Sequence, residues 1–235
     1  MARVLGLKQL LAKTYDFLDE LPDKISLSFG RLTSNFTMIV WGLSANGKSN
    51  FLMQFLPPLM PYGNVLYVGL EEGFESTMQI LANRNLNSDQ HSGKIQFADS
   101  EMTYDQLIIK LKKKKSPRFI VIDSLQYWNI TYEQYKRLKE MFKRKTFIFI
   151  SHADGKLPSG KVAKDIMYDC GIKVRVEGFI AFVKSRYGGH NPYIINEELA
   201  KQYWGAKYKK VTKSYVSALP RMAIQAIMNE NVTIG

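Results

Sequence analysis

The chain has 235 residues, enough for one domain with a sizeable core or for one domain with a small appendage. A hydrophobic share of 46% and an aromatic share of 12% exclude a disordered chain. No apolar run approaches the roughly 18 residues of a membrane span, and the single cysteine, Cys170, excludes an internal disulfide framework or a cysteine-rich zinc site. With 33 Lys and Arg against 21 Asp and Glu, the formal charge is +12. Such a charge suits a polyanionic partner, most commonly nucleic acid, and equally suits a basic enzyme with no such partner. The segment after Met1 is amphipathic, unlike a signal peptide, so the cytoplasm is the expected compartment.

In chain order, Leu7, Leu10, Leu11, Tyr15 and Leu18 recur at helical spacing and predict an N-terminal helix over residues 6–20, ended by Leu21-Pro22-Asp23. Residues 1–25 are read as a helix and linker ahead of a core over 26–205. Residues 36–41 form an apolar, β-branched-rich run that predicts a buried strand. Directly after it stands Gly42-Leu43-Ser44-Ala45-Asn46-Gly47-Lys48-Ser49, which fits G-x-x-x-x-G-K-[ST]. Glycines at these spacings let successive N–H groups point inward at phosphate oxygens. Lys48 can reach the β and γ phosphates, and the Ser49 hydroxyl can ligand Mg²⁺. A helix over 48–56, stopped by Pro57-Pro58, directs its positive end at the same anion. Strand, glycine loop and helix are the setting the motif requires.

A strand over 64–70 is followed at once by Glu71 and Glu72. A carboxylate there can orient the water that attacks a γ phosphate, or simply favour a helix start. A helix at 74–84, a strand at 95–98 and a helix at 103–115 come next. The last ends in Lys112–Lys115, read as a solvated helix terminus rather than a binding site. Residues 119–124, Phe-Ile-Val-Ile-Asp-Ser, are a buried strand that delivers Asp123 to the sheet's C-terminal edge, where it can hold Mg²⁺. A helix at 132–144 precedes a strand at 146–151, after which His152 can sense a γ phosphate or serve a structural role. This alternation predicts an α/β fold, a P-loop NTPase with a mostly parallel sheet flanked by helices. Further strands at 172–177, 179–184 and 192–195 are added after that core, and 206–235 form a basic tail.

The order of these motifs resembles the RecA-type ATPases, the RadA branch most and the DnaB-type helicases next. Val65–Glu72 is similar to the second strand of RadA proteins, and Asp123-Ser124-Leu125-Gln126 to their Asp-Ser-Ile-Gln. Ser151-His152-Ala153-Asp154-Gly155-Lys156 resembles their Gly-His-x-x-Lys segment, and Phe182–Gly188 their Lys-Asn-Arg-Phe-Gly motif. The likeness covers roughly residues 20–200. It implies binding and hydrolysis of ATP with Mg²⁺, Glu71 as the catalytic glutamate with Glu72 in reserve, and His152 as the γ-phosphate sensor. It also implies that Lys184 and Arg186 reach a neighbouring subunit's nucleotide, so that a homo-oligomer, ring or filament, is the working form. Neither the zinc module nor the protease-like domain usual in RadA proteins lies in these 235 residues.

In RecA-like relatives DNA is held by the loops after the Walker B and sensor strands. Here these are Gln126–Asn129, where Tyr127 and Trp128 can stack on bases or pack in the core, and Asp154–Lys164, with Lys156, Lys161 and Lys164. The tail adds Tyr208-Lys209-Lys210, Lys213 and Tyr215. DNA, single-stranded and without sequence preference, is the expected partner. A nucleotide-switch or assembly ATPase that does not move along DNA, and a P-loop small-molecule kinase, are the alternatives.

Overall fold

The computed structural model describes residues 4–71 and 73–213. Glu72 and residues 214–235, Tyr215 among them, lie outside the described residues. The elements are α1 (Leu7–Leu11), α2 (Asp23–Phe29), β1 (Thr37–Gly42), α3 (Lys48–Phe55), β2 (Val65–Gly69), α4 (Ser76–Asn85), α5 (Ser88–His91), β3 (Ile95–Ala98), α6 (Tyr104–Lys112), β4 (Phe119–Asp123) and α7 (Leu125–Trp128). They continue with α8 (Tyr132–Met141), β5 (Thr146–Asp154), β6 (Leu157–Pro158), α9 (Lys161–Asp169), β7 (Ile172–Glu177), β8 (Ile180–Ser185), β9 (Tyr193–Ile194), α10 (Glu197–Trp204) and α11 (Tyr208–Val211).

Eight strands form one sheet in the order β3-β2-β4-β5-β1-β7-β8-β9, with β6 paired to β5. From β3 to β7 every pairing is parallel; β8 and β9 are antiparallel additions. The predicted fold class is therefore observed: a mostly parallel α/β sheet with antiparallel strands after the core.

The central strands are buried on both faces, as a parallel sheet between helices requires. Side chains alternate across β1: Met38 and Val40 join one apolar cluster, Ile39 and Trp41 the other. The first cluster is filled by α2, by α3 and by the segment Leu18–Leu21; the second by α6, α8 and α9. Phe29, Phe51 and Phe55 are fully buried and meet ring to ring, and Tyr193 of β9 closes on Phe29 and Phe51. Each such ring contributes about 1.5–3 kcal/mol by leaving water, so α3 and the phosphate loop before it stand on a rigid base. Capping boxes start α6 (Thr103 with Gln106) and α8 (Thr131 with Gln134), which is why both begin where they do. β7 shows one buried and one half-buried face in strict alternation, as Ile-Lys-Val-Arg-Val-Glu predicts.

Three readings need correction. The N-terminal helix spans only Leu7–Leu11, with Leu7, Leu10, Leu11 and Tyr15 exposed, and Leu18 is buried outside any helix. Helical spacing alone does not sustain so short an element. The segment 154–164, expected as an open loop, contains β6 and the start of α9. Helix α6 ends at Lys112, because Lys113 is already extended, so Lys113–Lys115 follow the helix rather than end it.

Candidate functional site

The phosphate loop occupies the turn from β1 into α3. Gly42 ends the strand where a Cβ would lie 2.2 Å from the Val176 carbonyl oxygen, so no side chain fits there. Gly47 caps α3 at φ +99°, a left-handed conformation, and Ala45 is left-handed at φ 60°. Left-handed residues inside a turn direct successive N–H groups to one side and make an anion-binding concavity. Asn46 is tied to the β7–β8 turn: its Oδ1 accepts from the Gly178 N–H at 2.8 Å and its carbonyl from the Phe179 N–H at 3.2 Å. Gly178 is in turn held by the Trp204 indole N–H of α10, which donates to the Gly178 carbonyl at 3.1 Å. The loop is thus clamped from behind by residues far along the chain.

Lys48 Nζ donates to the carbonyls of Gly42 and Leu43, both at 3.0 Å. Burial lowers its pKa, and the carboxylates of Asp123 and Glu71 oppose that shift. Both acids therefore lie within electrostatic reach of the lysine, although they come from different strands. The topology explains this convergence. β5 sits between β1 and β4, and β2 lies beyond β4. Gly42 is opposite His152, and Asp123 is opposite Gly69, so the ends of β1, β5, β4 and β2 reach one edge of the sheet.

Asp123 accepts from the buried Tyr67 hydroxyl at 2.5 Å. Its backbone carbonyl accepts the Leu70 N–H at 2.6 Å and the Glu71 N–H at 3.3 Å, which fixes the turn that carries Glu71. Glu71 Oε2 and His152 Nε2 are 2.9 Å apart. The His152 N–H donates to Gln126 Oε1 at 3.1 Å, and Gln126 Nε2 donates to Ser151 Oγ and to the Ser159 carbonyl. Tyr127, 56% exposed, presents its ring edge to the His152 ring at 6.2 Å.

The donors fit a hard cation held jointly with phosphate. Ser49, in the first turn of α3, and Asp123 offer oxygen ligands beside Lys48, and Mg²⁺ is commonly bound by one or two protein oxygens plus substrate phosphates. Among the described residues no group of three or more His, Cys, Asp or Glu is placed to cage a metal without such help.

Of the sequence-predicted site residues, Gly42–Ser49, Glu71, Asp123 and His152 meet at this edge. Lys184 and Arg186 do not. β7 begins beside the start of β1, and antiparallel β8 returns so that Ser185 pairs with Ile172. Along the strands Lys184 is level with Ile39, about 10 Å short of Gly42, and Arg186 is beside Gly171, about 16 Å short of it, at about 3.3 Å per residue. Trp128, for which the sequence leaves stacking on bases and core packing both open, is 8% exposed and packs on Tyr104 at 5.9 Å. A short helix, α7, turns it inward. Lys161 and Lys164 are ion-paired to Asp165 and Asp154, at 2.9 and 3.5 Å. Sequence reasoning missed the role of Tyr67, the clamp between Asn46 and the β7–β8 turn, and the bonds of Gln126. A tyrosine inside an otherwise apolar strand, whose hydroxyl must find a partner, was the available signal for the first.

Comparison with known proteins adds the fold. No family model matches the chain, and no curated protein does. Among solved structures, the chain is similar to a KaiC-like protein of the hyperthermophilic archaeon Pyrococcus horikoshii, at TM-score 0.54 and 20% identity over 74% of this chain and 92% of that one. It is also similar to the flagellar accessory protein FlaH of Methanocaldococcus jannaschii, at TM-score 0.55 and 15% identity over 76% of this chain and 94% of that one. The fold is that of the RecA-like P-loop proteins. No helix among the described residues is long and apolar enough to cross a membrane.

Proposed function

We propose that the chain is a Mg²⁺-dependent ATP hydrolase of RecA-like type, with RadA-like motif order, that works as a homo-oligomer in the cytoplasm and acts on single-stranded DNA. The observation that carries the reading is the meeting of the phosphate loop, Asp123 and the Glu71–His152 pair at one sheet edge. The amides of Gly42–Lys48 and the Lys48 ammonium hold the phosphates, and Ser49 and Asp123 hold the metal. When bound, Mg²⁺ neutralises charge on the phosphoryl oxygens. Glu71 orients the attacking water. His152, bonded to Glu71, couples that carboxylate to the γ-phosphate position and, through Gln126, to Ser159 and the segment beyond. Lys184 and Arg186 are too far from their own loop to serve it and are exposed, which supports their acting on a neighbour's nucleotide.

Two substitutions test these roles. Glu71→Gln lowers ATP turnover about a hundredfold, within the range of a lost general base, while nucleotide affinity stays within about twofold. Loss of affinity in parallel with turnover would reassign Glu71 to binding. Tyr67→Phe removes the hydroxyl that orients the Asp123 carboxylate and raises the Mg²⁺ concentration for half-maximal turnover about tenfold, as loss of a group that orients a metal ligand does. An unchanged Mg²⁺ dependence would remove Asp123 from the metal site.

A second reading, a nucleotide-driven assembly ATPase, is favoured by a specific observation: of the three lysines expected to hold DNA after the sensor strand, two are paired with nearby carboxylates, Lys161 with Asp165 and Lys164 with Asp154. Steady-state hydrolysis with and without single-stranded DNA separates the two. Severalfold stimulation supports action on DNA; a rate indifferent to DNA supports assembly.

A further inference from the structure

A dense cluster of exposed cations stands at the other end of the sheet. The loops entering β4 and β5 are neighbours there, since Phe119 pairs with Thr146. One loop carries Lys113, Lys114 and Lys115, directly after Lys112 at the end of α6; the other carries Lys143, Arg144 and Lys145. They are joined by Lys145 Nζ, which donates to Ser116 Oγ at 2.8 Å and to the Pro117 carbonyl at 2.6 Å. Arg118 stands beside them, donating to the Tyr62 carbonyl and paired with Asp16 at 3.4 Å. Beside the second run opens a cleft of ≈ 650 Å³, whose charged lining is Arg118, Lys143, Arg144 and Lys145 with Asp16 and Glu140; Met141 and Phe142 also line it, and the first run adjoins it in sequence through Ser116.

The two internal bonding centres, Arg118 and Lys145, shape the cleft. Burial, with the adjacent Arg118, lowers the Lys145 pKa, a sign of how closely cations are crowded here. The other six cations have no ion pair among the described residues: Lys112, Lys113, Lys114, Lys115, Lys143 and Arg144 are all exposed. Asp16 is already engaged by Arg118, which leaves Glu140 as the one lining acid without an ion pair. So many unpaired cations in one place repel one another and are stabilised by a polyanion that displaces its own counterions.

We propose that this basic edge, opposite the nucleotide site, holds the phosphate backbone of a nucleic acid. A row of phosphates can follow a concave cleft lined by Arg118 and Lys143–Lys145 and the basic run beside it, which a flat lipid surface cannot. Of the apolar side chains lining the cleft, Phe142 packs against the core and only Met141 is exposed, little apolar area for interfacial membrane binding, which draws on such area as well as charge. The aromatic of the cleft lining, Phe142, is packed against the core rather than presented to a base, so the contact reads phosphate and not bases and lacks sequence preference. The site lies outside the two loops expected to hold DNA. It rests on the reading that a nucleic acid is the partner, but not on hydrolysis.

The test is equilibrium binding of the full chain, without nucleotide, to a fluorescent 30-mer single strand and to its duplex, at several salt concentrations. Two double variants, Lys112→Glu with Lys114→Glu and Lys143→Glu with Arg144→Glu, are compared with Tyr127→Ala and Lys156→Ala. Each edge variant is expected to weaken binding tenfold or more and to flatten the salt dependence, by about 0.7 in log–log slope per lost phosphate contact on a single strand. The ATP turnover of the edge variants, measured without nucleic acid, should stay at the wild-type level and shows that they are folded. Stronger binding of the duplex or of the single strand tells which form supplies the backbone. Edge variants that bind like wild type would overturn the proposal, and so would a wild-type chain that binds phosphatidylserine vesicles but neither nucleic acid. Failure of every chain to hydrolyse ATP would instead count against the ATPase reading alone.

Discussion

Lys48→Ala is expected to abolish ATP turnover, by about a thousandfold or more, and to weaken ATP binding, while the protein stays folded. The ammonium is the one cation of the phosphate loop, and its removal takes away charge stabilisation made at the transferring phosphoryl group. A thousandfold loss corresponds to about 4 kcal/mol of transition-state stabilisation. The fold should tolerate the change because Lys48 bonds only to the carbonyls of Gly42 and Leu43, within its own loop. The loop itself is held by Asn46 on Gly178 and Phe179 and by the aromatic base under α3. Those carbonyl bonds must be exchanged for phosphate oxygens when ATP enters. Turnover by the variant within tenfold of wild type would mean that phosphate is held elsewhere.

Arg186→Ala is expected to produce a loss of similar size, for a different reason. A guanidinium that reaches a transferring phosphoryl group is worth about 10³–10⁵ in rate. The antiparallel return of β8 leaves Arg186 at the wrong edge for its own loop, so under the proposed function its contribution is made in trans. Mixing Lys48→Ala subunits with Arg186→Ala subunits should therefore restore part of the lost activity. In mixed assemblies an intact loop meets an intact arginine at some interfaces. Turnover of the Arg186→Ala chain alone at the wild-type rate would leave Arg186 with its local role, beside Asp169, on whose carboxyl it acts electrostatically.

The parts of this site that were legible in the sequence are those set by local rules. Gly42–Ser49 is a contiguous motif whose geometry follows from glycine placement and from the helix after it. Asp123, Glu71 and His152 could be assigned to one edge because each ends a run of apolar residues that reads as a strand. The parts that were not legible depend on what crosses from one element to another. Nothing local says that Tyr67 bonds Asp123, that Gln126 bonds both Ser151 and His152, or that Asn46 is clamped by the β7–β8 turn. Trp128 was ambiguous between stacking and packing, and a single turn of helix decided for packing. Lys112–Lys115 looked like an ordinary helix end because its neighbour, Lys143–Lys145, is distant in sequence and adjacent only through the pairing of β4 with β5.

The fold likeness to a KaiC-like protein and to FlaH fits a site of this kind without fixing what it drives. The measurement that bears most directly on the account is phosphate release from ATP by the purified chain over a range of protein concentrations, with Mg²⁺ and with a chelator. The account predicts Mg²⁺-dependent release whose rate per subunit rises with concentration, as sites completed by a neighbour require. Release at a constant rate per subunit would contradict completion in trans, and no release above the Lys48→Ala background at any concentration would contradict the hydrolase itself.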